Sequence, residues 1–503
     1  MKIVSKKAVA LMVAATLGAI SLPFAVLNVQ AAPASSIIGI SAATSKLSDK
    51  EIQEAVEVLA GLGVLQGYAD HSMGVHNPIN RAELAKMVAL TFKLQGAEEN
   101  VALFTDVNSN VWYYKYASVL VGLGIMETAD GKFNPNGTVT DEELVQVVSK
   151  ALKRDVLSVN YWANQLKSTP EPATRGEVAA LLNTARKAMP SDKAQITSVK
   201  SINEITLIVT LDAPLTADNE VFAKAKEDFV FNEGLTLTNM PRLKTGSIAT
   251  YIVPTSVQKA GTTYNLTYKG KNAGSFVGNA AKVDMTTATQ VTNDTFEIEA
   301  LKTNGVIDYG YVISAYSGGR GANAFVLDEN NRANGITYQI IPSMQGRQVT
   351  ITPEGGASIV AKYVPFTQST DGKIEPKFRL PEGQVLKPGV KYTVTSDWAN
   401  IENPSFEAKE IAPLQISGAE AVSETSINVT LAQDPGDELF SGRSVQLTAP
   451  NGDTLVATYK FSSRKGAVGI FDITNNGKLA EGTAYTVTPL GTWATSQATL
   501  TSK

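Results

Sequence analysis

The sequence predicts a multidomain protein in which an all-α region of three helical repeats precedes a series of all-β sandwich domains. Two observations support this fold class. A helix-start signature followed by helically spaced apolar residues occurs three times in the first 190 residues, and a strand that begins with glycine and contains tyrosine occurs three times in the remainder. Because internal repeats report whole structural units, they indicate the architecture before local propensities do.

Each helical repeat begins with the same start signal. A residue whose side-chain oxygen can cap a helix is followed three positions later by a glutamate that can reach back, which is a capping box. The apolar residues behind each box then recur on one helical face. The predicted cap residues are Asn80 with Glu83, Thr140 with Glu143, and Thr174 with Glu177.

The boxes belong to a longer motif. Before the second box the chain reads Phe104-Thr105-Asp106-Val107, Trp112-Tyr113-Tyr114, Gly122-Leu123-Gly124-Ile125 and Asp130-Gly131-Lys132-Phe133-Asn134-Pro135. This pattern resembles the S-layer homology (SLH) domain of Gram-positive surface proteins. The first repeat matches it through Gly61-Leu62-Gly63-Val64 and Gly67-Tyr68, whereas the third is degenerate and keeps Tyr161-Trp162.

The resemblance covers residues 47–190 and places three SLH repeats at about 47–95, 101–153 and 157–190. It implies a three-pronged helical bundle whose grooves bind a secondary cell-wall polysaccharide, commonly a pyruvylated one. The family's role is structural, so we expect a protein that is not an enzyme.

Two arginines are candidates for binding such a polymer. Arg81 and Arg175 occupy the first helical position after their N-caps. The positive end of the helix dipole makes an arginine there unfavourable by about 0.3 to 1 kcal/mol, unless an anion binds. The resemblance further implies that Tyr68 and Trp112 lie against sugar rings. The alternatives are exposed arginines paired with nearby glutamates, and aromatic side chains that pack in the core.

The second box differs from the other two because Asp141 stands where they have arginine. An acidic residue favours the helix N-terminus but repels an anion. We therefore expect the second groove to bind weakly or not at all.

The N-terminus has the three parts of a secretory signal peptide, here residues 1–31. Lys2, Lys6 and Lys7 precede an apolar run, and Val29-Gln30-Ala31 forms a cleavage sequence. The alternative is an uncleaved membrane anchor. Later segments do not reach the roughly 20 apolar residues that span a bilayer. We expect a secreted protein in the S-layer of the cell-wall surface, with no membrane span after cleavage.

Composition excludes several functions. The chain has no cysteine, and its two histidines, His71 and His76, both lie in one polar loop of the first repeat. These residues cannot form a disulfide framework, a serine-histidine triad or a multi-histidine metal site. A formal net charge of −4 and a pI of about 5.6 argue against nucleic-acid binding.

The periodicity changes to alternation after residue 190, which predicts strands. The repeated tyrosine strands are Gly261–Thr267, Gly389–Thr395 and Gly482–Thr488. Each is typical of the tyrosine corner of immunoglobulin-like (Ig-like) sandwiches, in which the hydroxyl bonds to upstream backbone.

These strands predict Ig-like domains at residues 194–280, 281–412 and 413–503. The middle domain is enlarged by extra hairpins or an inserted loop. The arrangement resembles the bacterial Ig-like domains that form the body of many S-layer proteins.

The sequence implies no cofactor and does not identify a metal site. Acidic residues near predicted strand ends, such as Asp212, Asp284 and Asp308, make Ca²⁺ a candidate ligand at Ig-like domain junctions or lattice contacts. They do not form a spaced ligand loop.

The leading hypothesis is a structural S-layer protein that is anchored non-covalently by its SLH repeats and self-assembles through its Ig-like domains into a two-dimensional lattice. One alternative is a cell-wall-anchored adhesin or ligand-binding protein. A second is a surface glycoside hydrolase, which requires two carboxylates roughly 5 to 9.5 Å apart. Its candidate residues are Asp308, Asp328, Glu329 and Glu354.

Overall fold

The structure is a computed structural model. It describes residues 48–96, 104–166, 172–300, 305–309, 326–333, 335–365, 375–435, 439–461 and 463–502. The predicted signal peptide lies outside the described residues.

The described residues before position 190 are mainly helical, as predicted. The apolar residues behind the predicted boxes are all buried, which confirms the helical faces read from the sequence. The helices are α1 Asp49–Gly61, α2 Arg81–Thr91, α3 Tyr114–Gly122, α4 Asp141–Leu152, α5 Val156–Leu166 and α6 Arg175–Lys187.

The predicted caps begin α2, α4 and α6. The boxes of Asn80 and Thr174 are complete, with both reciprocal hydrogen bonds. At the second box the Thr140 hydroxyl accepts from the backbone N–H of Glu143, while the Glu143 carboxylate pairs with Arg81 instead. A further box, Ser48 with Glu51, begins α1. It was not predicted, although its spacing is the same.

The three boxes meet at the centre of the helical region. Ile79, Val139 and Ala173 each stand just before an N-cap and are fully or almost fully buried. Their backbones form a closed cycle: Ile79 donates to Ala173 (3.0 Å), Ala173 to Val139 (3.4 Å) and Val139 to Ile79 (3.4 Å). The cycle relates the three boxes by an approximate threefold arrangement.

The described residues after position 190 form mainly strands, which fall into three groups. The first β-domain (residues 196–277) contains two sheets, one of strands 1-2-5-4 and one of strands 3-6-7. This is the strand order of an immunoglobulin constant-type sandwich. Its elements are β1 Ile196–Asn203, β2 Thr206–Leu211, α7 Ala217–Glu220, α8 Phe222–Asp228, β3 Phe229–Phe231, β4 Arg242–Leu243, β5 Thr250–Pro254, β6 Thr263–Tyr268 and β7 Lys271–Val277.

The second β-domain (residues 283–407) contains an eight-stranded sheet of order β18-β8-β9-β16-β15-β14-β17-β19. Its strands are β8 Val283–Gln290, β9 Thr295–Ala300, β10 Val306–Asp308, β11 Arg332–Ala333, β12 Ile336–Thr337, β13 Gln339–Ile341, β14 Gln348–Pro353, β15 Ile359–Tyr363, β16 Lys377–Arg379, β17 Lys391–Thr395, β18 Ala399–Asn403 and β19 Ser405–Glu407.

The third β-domain (residues 414–501) repeats that order as β26-β20-β21-β24-β23-β22-β25-β27. Its strands are β20 Leu414–Ser423, β21 Ser426–Leu431, β22 Ser444–Thr448, β23 Thr454–Tyr459, β24 Val468–Ile473, β25 Ala484–Pro489, β26 Ala494–Thr495 and β27 Ala498–Thr501.

The second β-domain is longer because β10 to β13 are inserted between its second and third sheet strands. In the insertion β10 pairs with β13 in parallel and β11 forms a hairpin with β12. Ile307, Tyr309 and Ile340 of this insertion pack on Ile252 of the first β-domain. The extra residues therefore connect two domains.

The predicted tyrosine corner is present in all three β-domains. The hydroxyls of Tyr264, Tyr392 and Tyr485 each accept a 2.9 Å hydrogen bond from the backbone N–H five residues upstream. All three side chains are buried. Because the same contact occurs at the same strand in each domain, we infer that the repeated glycine-tyrosine segment produces it.

Among the described helices, none combines the length and apolar character needed to cross a bilayer.

Candidate functional site

Arg175, at the start of α6, reaches across to the first repeat. Its Nη1 lies 2.5 Å from Glu83 Oε1, its Nη2 donates to the Gln66 carbonyl (2.8 Å), and its Nε donates to the Met73 carbonyl (3.2 Å). The Tyr68 ring covers the guanidinium, with 4.7 Å between its centroid and Cζ. Arg175 is only 4% exposed. It therefore positions the loop of the first repeat and is not an exposed residue.

Arg81, at the start of α2, makes the equivalent contacts one repeat further on. It donates to the carbonyls of Phe133 (2.8 Å) and Glu127 (2.7 Å) and pairs with Glu143. Its guanidinium lies 5.0 Å from the centre of the Phe133 ring. Burial lowers the pKa of Arg81, although Asp106 opposes the shift. Both predicted arginines thus serve the packing between repeats, each through a glutamate of the next box in the cycle.

Asp141, in the second box, occupies the position that Arg81 and Arg175 occupy in the other two boxes. It lines a small cavity together with Leu144, Leu166, Ala173 and Glu177. The cavity holds about 20 Å³, which is room for roughly one water molecule. This space is small for a sugar ring.

Tyr68, Trp112 and Arg175 converge on one larger opening, which we call the aromatic cleft. It has a volume of about 310 Å³ and is also lined by Lys86 and Glu83. Tyr68 is 39% exposed and Trp112 is 54% exposed, so neither ring is core packing. Of the four predicted binding residues the structure brings these three together, and Arg81 lies at the neighbouring groove.

Lys86 also lines the aromatic cleft and was not among the residues predicted from the sequence. Its Nζ donates to the Gln66 side chain (2.7 Å) and lies 5.7 Å from the centre of the Trp112 ring. The signal was available in the sequence, because the position six residues after the N-cap is Lys86 in the first box, Gln146 in the second and Ala180 in the third. The ammonium group gives this cleft a more accessible cation than the buried Arg175 supplies.

The groove of Arg81 has different chemistry. Glu127 stands where the first repeat has Gln66, and Ala129 stands where it has Tyr68. The Glu127 side chain is 84% exposed. This groove therefore has alanine at the position of Tyr68, and its carboxylate pairs with the Lys150 ammonium at 3.0 Å, so that cation is already occupied by a protein partner.

Trp162, the aromatic residue kept by the third repeat, lies at a domain joint. Its Nε1 donates to the Gly246 carbonyl of the first β-domain (2.7 Å), and the Gly246 N–H donates to the Ser158 hydroxyl (2.9 Å). Arg154 adds a hydrogen bond to the Ser247 carbonyl (2.8 Å). Only 2% of Trp162 is exposed. The third repeat thus connects the helices to the first β-domain.

The acidic residues considered for calcium have local partners. Asp212 accepts from the backbone of Gln195, and both Asp284 oxygens accept from side chains, those of Asn400 and Gln339. The Asp308 side chain lies outside the described residues. Among the described residues, groups of three or more potential metal-ligating side chains do not occur.

Two of the residues considered for glycoside hydrolysis, Asp328 and Glu354, lie at turns. Asp328 accepts hydrogen bonds from the backbone N–H groups of Asn330 and Arg332, so its carboxylate holds the turn between the two. Glu354 lies at an exposed turn after β14.

The sequence profile of the S-layer homology domain matches residues 46–85 and 103–144. These segments contain Tyr68 and Trp112 of the aromatic cleft. The matched segments do not include residues 157–190, so the family assignment of the third repeat stays a prediction.

Three known proteins are similar to parts of the chain. The "Middle cell wall protein" of Brevibacillus brevis is 29% identical over 266 residues, which are 48% of this chain and 25% of that protein. The "Surface-layer 125 kDa protein" of Lysinibacillus sphaericus is 31% identical over 135 residues, or 26% of this chain and 11% of that protein.

The "Endo-1,4-beta-xylanase A" of Thermoanaerobacterium saccharolyticum is 33% identical over 95 residues, or 19% of this chain and 8% of that protein. The chain thus spans a quarter or less of the length of each of these relatives. Within it, two helical segments are of the S-layer homology type, and between them they supply both exposed rings of the aromatic cleft.

Proposed function

We propose that this chain is a structural cell-surface protein of the S-layer type, held non-covalently to an acidic secondary cell-wall polymer by the aromatic cleft. The single observation that carries the proposal is the convergence of two exposed aromatic rings and one lysine on an opening of about 310 Å³. The SLH match and the relatives named for the cell wall and the surface layer support the location.

The cleft has a separate part for each feature of a pyruvylated sugar. The faces of Tyr68 and Trp112 suit the apolar C–H faces of sugar rings. The Lys86 ammonium suits a carboxylate such as that of a pyruvate ketal. Arg175 acts indirectly, because its guanidinium holds the Tyr68 ring and the loop carbonyls in place.

One binding cleft per chain is the expected stoichiometry. The Arg81 groove has Ala129 at the position of Tyr68, and its Lys150 is already paired with Glu127, so it offers an anionic sugar neither an aromatic face there nor an unpaired lysine. The Asp141 cavity, at about 20 Å³, is small for a sugar ring.

The β-domains form the body of the protein in this proposal, and their lateral association builds the two-dimensional lattice, with Ca²⁺ as a candidate bridging ion. Residues 1–31 act as the export signal. The proposed role is structural, and the match to the xylanase gives no support for catalysis because it spans only 8% of that enzyme.

Co-sedimentation with purified cell-wall sacculi tests the anchoring. The protein should pellet with native sacculi and stay in the supernatant when the secondary polymer has been extracted. Equal binding to both preparations would show that the polymer is not the ligand.

Negative-stain electron microscopy with and without millimolar calcium tests the lattice separately. Ordered sheets support the structural role, and dispersed particles under all conditions would favour a wall-anchored adhesin.

A further inference from the structure

Two β-domains carry the same Gly-Arg turn just before their third sheet strand. Gly346-Arg347 precedes β14, and Gly442-Arg443 precedes β22. Both glycines have positive φ, at 76° and 69°, a region that glycine adopts without strain. The two turns therefore have the same backbone form at equivalent places in two domains.

The hydrogen bonds of the two turns also correspond. Each arginine donates its backbone N–H to the carbonyl three residues upstream and its Nε to the carbonyl four residues upstream. The backbone carbonyl of each arginine accepts a hydrogen bond from the backbone N–H of a tyrosine in the next strand. The tyrosines are Tyr363 and Tyr459, and both distances are 3.0 Å. The turn thus holds the guanidinium in one direction, toward the preceding domain.

Arg443 crosses from the third β-domain into the second. Its Nη1 and Nη2 lie 2.6 and 2.8 Å from the two carboxylate oxygens of Asp294, in a bidentate pair. Thr292 and Thr295 donate further hydrogen bonds to the same carboxylate. The side chains of Arg443 and Asp294 are only 6% and 7% exposed.

Arg347 makes the corresponding crossing from the second β-domain into the first. Its Nη2 donates to the Thr255 carbonyl at 2.9 Å, and the arginine is 5% exposed. Asn203 of the first domain returns a hydrogen bond to the Ile340 carbonyl at 2.8 Å. The acceptor for Arg347 is neutral, whereas the acceptor for Arg443 is charged.

A buried guanidinium fixes the geometry of such a joint. Rotating one domain against the other while they stay in contact would leave a buried cation without its acceptors, and that loss is costly. The planar fork of arginine also restricts the direction from which a carboxylate or carbonyl can approach. A joint of this kind therefore resists rotation.

We propose that each Gly-Arg turn is a clasp through which a β-domain fixes its orientation on the domain before it, so that the three β-domains move as one body. With both clasps in place, a force applied to the third β-domain is transmitted toward the helical region without the chain bending at the two junctions between β-domains. This inference does not depend on what the aromatic cleft binds.

The test is a distance measurement between spin labels, and the absence of native cysteine makes the labelling clean. The exposed positions Ala357 and Thr454 report the junction held by Arg443. Ser275 with Ala357 reports the junction held by Arg347. Each pair is replaced with cysteine in the full chain, and double electron-electron resonance records the distribution of distances.

The expected result is one narrow distance peak in each labelled parent. That peak should broaden across the affected junction only, in Arg443→Ala for one pair and Arg347→Ala for the other. The control Lys478→Ala, which removes an exposed ion pair with Glu424 in the third β-domain, should keep the peak narrow.

A narrow peak in both folded arginine variants would overturn the proposal, even if their melting temperatures fall, because the arginines would then stabilise single domains without orienting them. Arg443→Lys keeps the charge and loses the fork, and it provides the same test if the alanine variant does not fold. An intermediate broadening supports the clasp, and an unchanged peak contradicts it.

Discussion

Arg175 and Glu83 are 92 positions apart in the chain and form an ion pair at 2.5 Å that joins the third box to the first. The same glutamate carboxylate also accepts the backbone N–H of Asn80. One residue thus completes a helix cap and receives the arginine of another repeat. The pair links the closure of the helical region to the position of Tyr68, which lies on the arginine.

Replacing Arg175 with alanine should therefore destabilise the helical region. We expect a loss of about 3 to 5 kcal/mol in its free energy of unfolding, because the change removes buried contacts and leaves Glu83 without its arginine. Urea unfolding followed by circular dichroism measures this. Lys50→Ala is the control, since Lys50 forms an exposed pair with Glu54. Equal stability of the two variants would contradict the structural role.

The expected destabilisation by Arg175→Ala differs from what the sequence alone suggests. Arginine after an N-cap predicts an anion receptor whose removal leaves the fold intact. In the structure that arginine is satisfied by Gln66, Met73 and Glu83 from another repeat.

Binding to the polymer should weaken with salt in a way that depends on Lys86. An accessible ammonium-carboxylate contact is screened by added ions. The dissociation constant of the parent protein should rise between about 0.05 and 0.5 M NaCl, and that of Lys86→Ala should rise less. Calorimetric titration with extracted polymer measures both. The lysine does not contact the anion if the two salt dependences are the same.

The tyrosine corners should contribute similar amounts to each β-domain. Tyr485→Phe removes only the hydroxyl that accepts the Ala480 N–H. We expect a loss of about 1 kcal/mol in the stability of the third domain, and the same for Tyr392→Phe in the second. Thermal unfolding gives the comparison, with the exposed Thr501→Val as control. An unchanged melting temperature would show that the repeated contact is not stabilising.

Acid should weaken the junction between the second and third β-domains. Burial opposes ionisation of Asp294, but hydrogen bonds and attraction from Arg443 outweigh it and lower the pKa from 3.8 to about 2. A carboxyl whose pKa is lower in the folded state stabilises that state above its ordinary pKa, and the contribution disappears as pH falls from about 4 to 2.

This shift corresponds to roughly 2 kcal/mol. The melting temperature of the parent should fall over that range by more than that of Arg443→Ala, which lacks the pair. Calorimetry at several pH values distinguishes the two, and parallel curves would show that Asp294 is not responsible.

Much of the fold follows from the sequence because the repeats are local signals. The boxes at Asn80 and Thr174 and the three tyrosine corners depend on residues within five positions of each other. The site follows less well, since Arg175, Tyr68 and Trp112 come from three different repeats and meet only when the helical region folds. Contacts between such distant positions are not encoded in local sequence spacing. The pairing of Arg443 with Asp294 could not be predicted from the sequence either, because 149 positions separate the two residues.

The most direct test of the proposed anchor compares how strongly two variants of the full chain bind to purified sacculi. The variants are Lys86→Ala and Gln146→Ala, which change equivalent positions of the first and second boxes. We predict that Lys86→Ala, and more strongly Lys86→Ala with Trp112→Ala, loses binding by roughly tenfold or more, while Gln146→Ala binds like the parent. Undiminished binding of the folded double variant would contradict the assignment of the aromatic cleft as the anchor.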